Sequence, residues 1–330
     1  MELFIKDIVY GSSSRNNFGN ALLALGILTN FRKSSNLEDL DVLNSYISKI
    51  IDKSDNFQED LKTVDQCMIG YTLLGLYEIN KNETLLNPIH QINKFILDFH
   101  IRTEGGLIPY RKHQPSILYI DTLGMICPFL ARYGYKFNSK ECQDIAFQQL
   151  YDFYKNAIDH KTGLPFHAYE ETQEIGFGLR GWTRGIGWYC IGLIDTIAYL
   201  PDDSDQRKIL IDYFEEIIES VETYQKENGC WSWEICNINS RDDTSGTAMI
   251  GYSIARACEI GVLEETYAII SQKALMGIIG YTSIDGKIWS SLAACGGIGD
   301  YPQLFGHAPW GQGPTLALCA LLQDTEEDVE

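Results

Sequence analysis

The sequence predicts an all-α protein in which six helical hairpins close into a ring, an (α/α)6 barrel. Two observations carry the prediction: helix-like segments of two kinds alternate along the chain, and the glycine turns between them recur at a near-constant spacing. Segments 18–28, 67–77, 123–133, 187–200, 247–260 and 314–322 are apolar almost all round and dotted with glycine. Segments 37–51, 85–99, 140–159, 204–226 and 264–279 are amphipathic, with one charged face. A helix that is apolar all round is buried, and one with a polar face lies at the surface. An inner ring wrapped by an outer ring follows.

The turns support the same unit. Gly106, Gly163, Gly229 and Gly286 each precede a short extended segment with an aromatic residue, and they lie 57, 66 and 57 residues apart. A fixed period of this size marks a repeat architecture built from one supersecondary unit. A unit of that length fits close to six times into 330 residues. Tandem solenoid repeats are the alternative, but the apolar first and last helices favour closure over capped ends. No linker divides the chain, so residues 1–330 are expected to form a single domain.

Composition narrows the partners. The net charge of −19, from 26 basic and 45 acidic residues, argues against nucleic acid and anionic membranes. No apolar run reaches the roughly 20 residues that span a bilayer, and the start, 1–7, lacks the pattern of a secretory leader. The nine cysteines are scattered, with no CxxC pair, so they are expected to be reduced core thiols in a cytoplasmic monomer. No HxxxH or HExxH occurs, and neither metal nor cofactor is expected. A GxSxG elbow, a Walker loop and a strand-borne GxGxxG are all absent.

Chemistry is sought on the rim where the inner helices begin. Asp65 and Asp121 lie 56 residues apart, one repeat, and so take equivalent places on neighbouring helices. An acid at a helix start is ordinarily a cap or a partner of the free N–H groups. Two carboxylates facing one lumen can also split their pKa values and supply a general acid. His167 and His113 could bind a hydroxyl or shuttle a proton. The stretch 181–189 holds Trp182, Arg184 and Trp188 among three glycines, a poor recipe for an ordinary helix start. Glycine would let the backbone approach a ligand, the tryptophans offer flat faces, and Arg184 offers a fixed cationic fork suited to a carboxylate. All six tryptophans fall in or beside rim segments, as sugar platforms would.

These residues resemble a known family. Tyr119-Ile120-Asp121-Thr122-Leu123-Gly124-Met125 with Pro128-Phe129-Leu130-Ala131 looks like the W-x-D-T-L-Y-M…P-F-L-A signature of glycoside hydrolase family 105, the unsaturated rhamnogalacturonyl hydrolases. That family is related to the unsaturated glucuronyl hydrolases of family 88. The stretch 182–188 resembles its W-A-R-G-N-G-W, and Phe166-His167-Ala168-Tyr169-Glu170 its H-G-Y-D. Thr244-Ser245-Gly246-Thr247-Ala248-Met249 and Gly311-Gln312-Gly313-Pro314 follow in the family's order, so the likeness covers roughly residues 60 to 320. The resemblance implies an (α/α)6 barrel and a substrate carrying a 4,5-unsaturated uronic acid on a small oligosaccharide. It implies that Asp121 protonates C4 of the vinyl ether and activates water for C5, with Asp65 assisting. Arg184, Trp188 and His167 would line the uronate site. Trp182, His113 and Tyr119 are further candidates for binding substrate.

The chain departs from the pattern at Ile186, where the family has Asn, and at Tyr119 for Trp and Gly124 for Tyr. The segment from His113 to Asp121 is also short. Ile186 is the expected point of difference in substrate. Two other readings share the barrel: a sugar 2-epimerase or isomerase, which would want a histidine pair on the lumen, and a glycan-binding toroid without turnover.

Overall fold

The computed structural model describes residues 15–98 and 101–323, so the opening 1–7 and the acidic tail 324–330 lie outside the described residues. Eleven α-helices run through the described part. Six are inner: α1 (Phe18–Ser34), α3 (Ile69–Asn80), α5 (Ile120–Phe137), α7 (Thr183–Ile197), α9 (Thr244–Glu259) and α11 (Pro309–Leu322). Five are outer: α2 (Leu37–Ile47), α4 (Leu86–Leu97), α6 (Lys140–Ala157), α8 (Asp205–Glu222) and α10 (Ala268–Ile279). Burial separates the two kinds. Every residue of α7 is buried, whereas α8 buries only Leu210, Tyr213, Phe214, Ile217, Ile218 and Val221 along one stripe.

The ring closes where α1 meets α11. A Cβ on Gly26 would lie 2.1 Å from the Gly313 carbonyl oxygen, and one on Gly313 would lie 2.2 Å from that of Leu22. Only glycine lets the two backbones come this close. With the first and last inner helices in contact, the architecture is the expected (α/α)6 barrel rather than an open solenoid.

The four repeat glycines share one conformation. Gly106, Gly163, Gly229 and Gly286 have φ of +86°, +68°, +86° and +78°, the left-handed region that other residues enter at a cost. The N–H of each closes a tight turn, on Thr103, Asp159, Lys226 and Ser283 respectively. Their recurrence in the sequence is thus a recurrence of a left-handed turn, one residue longer at Gly163 than at the other three.

The last four inner helices start three to five residues earlier than the apolar runs imply. Thr183, not Gly187, opens α7, and Gly185 and Gly187 lie inside the helix, contrary to the expectation of a poor helix start. Tertiary contacts override propensity here. The N-caps Tyr119 and Trp182 give no side-chain bond. Instead the following connector caps the preceding inner helix: Ile120 N–H donates to His167 O (2.9 Å), Thr183 N–H to Trp233 O (3.0 Å) and Thr244 N–H to Ser290 O (3.1 Å). Outer helices are capped locally, as by Ser139 on α6 and Ser204 on α8.

Three inner helices are joined by fully buried Asp195, near the C-terminal end of α7. Its carboxylate accepts from Tyr71 Oη (3.1 Å, α3) and Tyr252 Oη (3.1 Å, α9), with Arg256 Nε at 3.8 Å. Arg132 of α5 is equally buried and bonds Glu78 and the Tyr71 carbonyl while lying over the Tyr71 and Tyr199 rings. This polar plug fills one end of the barrel and leaves the other, where the inner helices begin, to hold the site.

Candidate active site

Three short antiparallel strands fix the central pair. β1 (Ile117–Tyr119), β2 (Ala168–Glu170) and β3 (Ile175–Phe177) form one small sheet in the order β1-β2-β3. Tyr119 faces Ala168 in its register, so the next residues, Ile120 and Asp121, are drawn against His167. Asp121 is the second residue of α5 and caps nothing. Its Oδ2 instead lies 3.2 Å from His167 Nε2, and both residues are buried. The other ring nitrogen, Nδ1, lies 2.5 Å from Tyr301 Oη, which also accepts from the Leu179 N–H at 3.2 Å.

Asp121, His167, Trp182, Trp188, Arg184 and Tyr119 line one cavity, so six of the eight residues expected from the sequence come together. Its volume is about 40 Å³, and Ala294, Cys295 and Gly297 also line it. Ligand pockets are commonly several hundred Å³, so this space is small. A larger open cleft of about 750 Å³ lies elsewhere, beside the 52–61 turn, and contains none of these six residues.

Arg184 lines the cavity, and part of its guanidinium is also bonded to backbone. Its guanidinium is buried, with Nη1 donating to Leu292 O at 2.7 Å and Nη2 to Ala293 O at 2.9 Å. It also lies over the Trp182 ring, 4.9 Å from the centroid. Two of its five N–H donors thus hold the 292–293 segment beside the cavity, and the guanidinium stays on the wall. Arg111, beside Lys112, is a second cation there. Arg111 lines the same cavity and lies over Tyr110 and Tyr119. One Nη donates to Gly296 O at 3.3 Å, while its buried Nε has no hydrogen-bond partner. Trp182 Nε1 is likewise buried and unpaired.

Some expectations need correcting. His113 is exposed on the 112–113 turn and does not line the cavity, because the short segment before β1 leaves it outside. Trp231 is wholly buried and its indole N–H donates to Val221 O, which makes it core rather than a sugar platform. Ile186 is wholly buried on α7 and is not among the cavity's lining residues, so the Asn it replaces is lost from packing, not from the wall. Gly124, by contrast, is required: a Cβ there would lie 2.6 Å from the Trp188 ring, so the residue that replaces Tyr makes room for the tryptophan.

Asp65 sits half-buried in the 3-10 turn Val64–Cys67, second in its helical start as Asp121 is in α5. It is not on the cavity wall, but both carboxylates act on the phenol of Tyr110, which is. Burial first, then Asp65 and Asp121, hold that phenol well above its ordinary pKa and so protonated. Tyr301 is pushed up to about 12, mainly by burial. Burial, with the Asp121 charge second, pushes the Cys295 thiol up to about 11, so it is no ready nucleophile. Among the described residues no group of three His, Cys, Asp or Glu side chains is placed to hold a metal ion. No described helix is long and apolar enough to cross a membrane.

The barrel carries a rim site of one carboxylate, one histidine and packed aromatics, within the (α/α)6 class. The family model for Glycosyl Hydrolase Family 88 matches residues 6–322. The chain belongs to that family, and with it to the glycoside hydrolases. Unsaturated rhamnogalacturonyl hydrolase YesR of Bacillus subtilis is 19% identical over 92% of this chain and 88% of its own length. Protein Atu3128 of Agrobacterium fabrum is 28% identical over 44% of this chain, a match that spans 66% of that relative's length. A family 105 glycoside hydrolase from C. acetobutylicum shares the fold with a TM-score of 0.86 at 21% identity, covering 98% of this chain and 99% of the other. The family 105 resemblance of the motif set and the family 88 match thus describe one related group.

Proposed function

We propose that the protein removes a 4,5-unsaturated uronic acid from the non-reducing end of a small oligosaccharide, with Asp121 as general acid and base. The observation that carries the reading is the Asp121–His167 pair facing a cavity whose unpaired donors are Arg111 Nε and Trp182 Nε1. A cation and a neutral donor beside a buried carboxylate suit a sugar ring that bears its own carboxylate.

In this reading Arg111 holds the uronate carboxylate, and Trp182, Trp188 and Tyr119 flank the ring. Asp121 in its acid form gives a proton to C4 of the vinyl ether. The carboxylate it becomes takes a proton from water as the oxygen attacks C5. The C5 hemiketal then opens: C5 becomes a ketone, the ring oxygen leaves with the proton, and the hemiacetal left at C1 expels the partner sugar as an alcohol. One water is consumed, and no covalent sugar–enzyme bond forms, unlike a retaining glycosidase. Asp65 assists electrostatically through Tyr110. The name of the B. subtilis relative supports a rhamnogalacturonyl substrate. The nine cysteines, all unpaired, suit a reducing compartment such as the cytoplasm.

An epimerase would want two lumen-facing histidines, and His167 is the one histidine among the described residues that lines the cavity. The test is Asp121→Asn, followed by loss of the substrate's ultraviolet chromophore. A fall of roughly 10²- to 10⁴-fold in kcat with substrate binding kept is expected. Unchanged turnover, or a wild type that bleaches no unsaturated disaccharide from a panel of lyase products, sinks the reading.

A further inference from the structure

We infer that Tyr301 is a positioning residue that sets the tautomer of His167 and so the donor facing Asp121; the kinetic part of this inference rests on the function proposed above. A neutral imidazole carries its proton on one nitrogen, and the bond made by the other nitrogen decides which. Here the Tyr301 hydroxyl oxygen faces two backbone donors and one ring nitrogen. It accepts from the Leu179 N–H at 3.2 Å and from the backbone of Gly299, so its own proton is directed to His167 Nδ1, at 2.5 Å. Nδ1 is then the acceptor, the ring proton sits on Nε2, and Nε2–H donates to Asp121 Oδ2 at 3.2 Å. The order is Tyr301 to His167 to Asp121, with each group donating to the next.

The arrangement is built rather than incidental. Tyr301 follows the turn 296–300, closed by Gly296 N–H on Asp300 O and Asp300 N–H on Gly297 O, both at 3.1 Å. Its ring packs against those of His167, Trp182 and Trp233 at 5.5, 5.7 and 6.1 Å. The same segment supplies Ala294, Cys295 and Gly297 to the cavity. The tautomer is therefore set by an element that also lines the site. The Nε2–H takes one carboxylate oxygen of Asp121 and leaves the other to carry the transferred proton.

The experiment compares wild type with Tyr301→Phe, which keeps the ring and removes the hydroxyl. Nitrogen-15 spectra of the His167 imidazole in the ligand-free protein are expected to show Nε2 protonated and Nδ1 bare, and in Tyr301→Phe a mixture of tautomers. In turnover, kcat should fall about tenfold, the worth of one lost hydrogen bond, with KM little changed. A wild type protonated on Nδ1, or a variant whose spectra and kcat both match wild type, overturns the inference. Failure to turn over any unsaturated uronide would count against the proposed activity alone, because the tautomer spectra need no substrate.

Discussion

His167 Nε2 stands 3.2 Å from Asp121 Oδ2, and a backbone bond from the Ile120 N–H to the His167 carbonyl holds the two residues at that spacing. The pair is thus fixed by main chain as well as side chain. His167→Ala is expected to lower kcat roughly 10- to 100-fold, the worth of a hydrogen bond to a charged group, with the fold intact. Steady-state kinetics alongside a circular dichroism melt would check this. A variant with wild-type kcat would remove His167 from the site's chemistry.

The two arginines of the cavity should separate cleanly. Arg111→Met removes the unpaired cation but keeps the stem over Tyr110 and Tyr119. It should raise KM for an unsaturated uronide by roughly 10- to 100-fold, the loss of one charge-assisted contact, while leaving the melting temperature near wild type. Arg184→Met strands the Leu292 and Ala293 carbonyls and should cost about 2–3 kcal/mol in urea unfolding. The reverse pattern would give the anion-binding part to Arg184.

Asp195 makes a prediction about stability alone. Burial holds its carboxyl above the ordinary range, although Arg256, Tyr252 and Tyr71 all favour the charged form. Asp195→Ala leaves two buried hydroxyls and a guanidinium without their shared acceptor, and about 3–5 kcal/mol should be lost. Denaturant unfolding measures it. A loss under about 1 kcal/mol would mean that the plug is solvated.

Asp242 gives a pH dependence with a definite sign. Burial pushes its carboxyl up, but bonds from Lys226 (2.6 Å), Tyr281 (2.7 Å) and Asn228 (2.7 Å) more than offset this and hold it below the usual value. A depressed folded pKa gives stability that is present above the unfolded value, about 3.9, and is lost as pH falls through the folded one. Asp242→Asn should therefore cost about 1.5–3 kcal/mol at pH 7. The gap to wild type should close as pH drops below about 4, as urea titrations across that range would show. A gap independent of pH would assign the loss to packing.

Periodicity made the barrel legible, since burial around a ring leaves a hydropathy trace and a left-handed turn leaves a glycine. Asp121, His167, Trp182 and Trp188 were legible as types that chemistry needs beside a helix start. What stayed hidden was direction. Arg184 reads as a free anion fork because a sequence shows a cation and not the carbonyls of Leu292 and Ala293 that take two of its donors. Arg111 reads as half of a surface dibasic pair until the aromatic rings beneath it are placed. Tyr301 sits 134 residues from His167, after a glycine-rich loop with no periodic signal. Trp231 and His113 each lie near the rim in sequence, yet one is packed inward and the other turned to solvent.

The Gly26–Gly313 contact has a kinetic consequence. Phe18 of α1 lines the cavity and packs on Trp188 at 6.1 Å and on Trp310 of α11 at 5.4 Å, so one wall residue is backed from across the seam. The seam is the contact of longest sequence separation and carries the largest loop-closure cost. During refolding, helix content and the Asp121–His167 pair can form while the seam is open. Return of activity would then lag behind the helical signal and mark the moment the ring shuts.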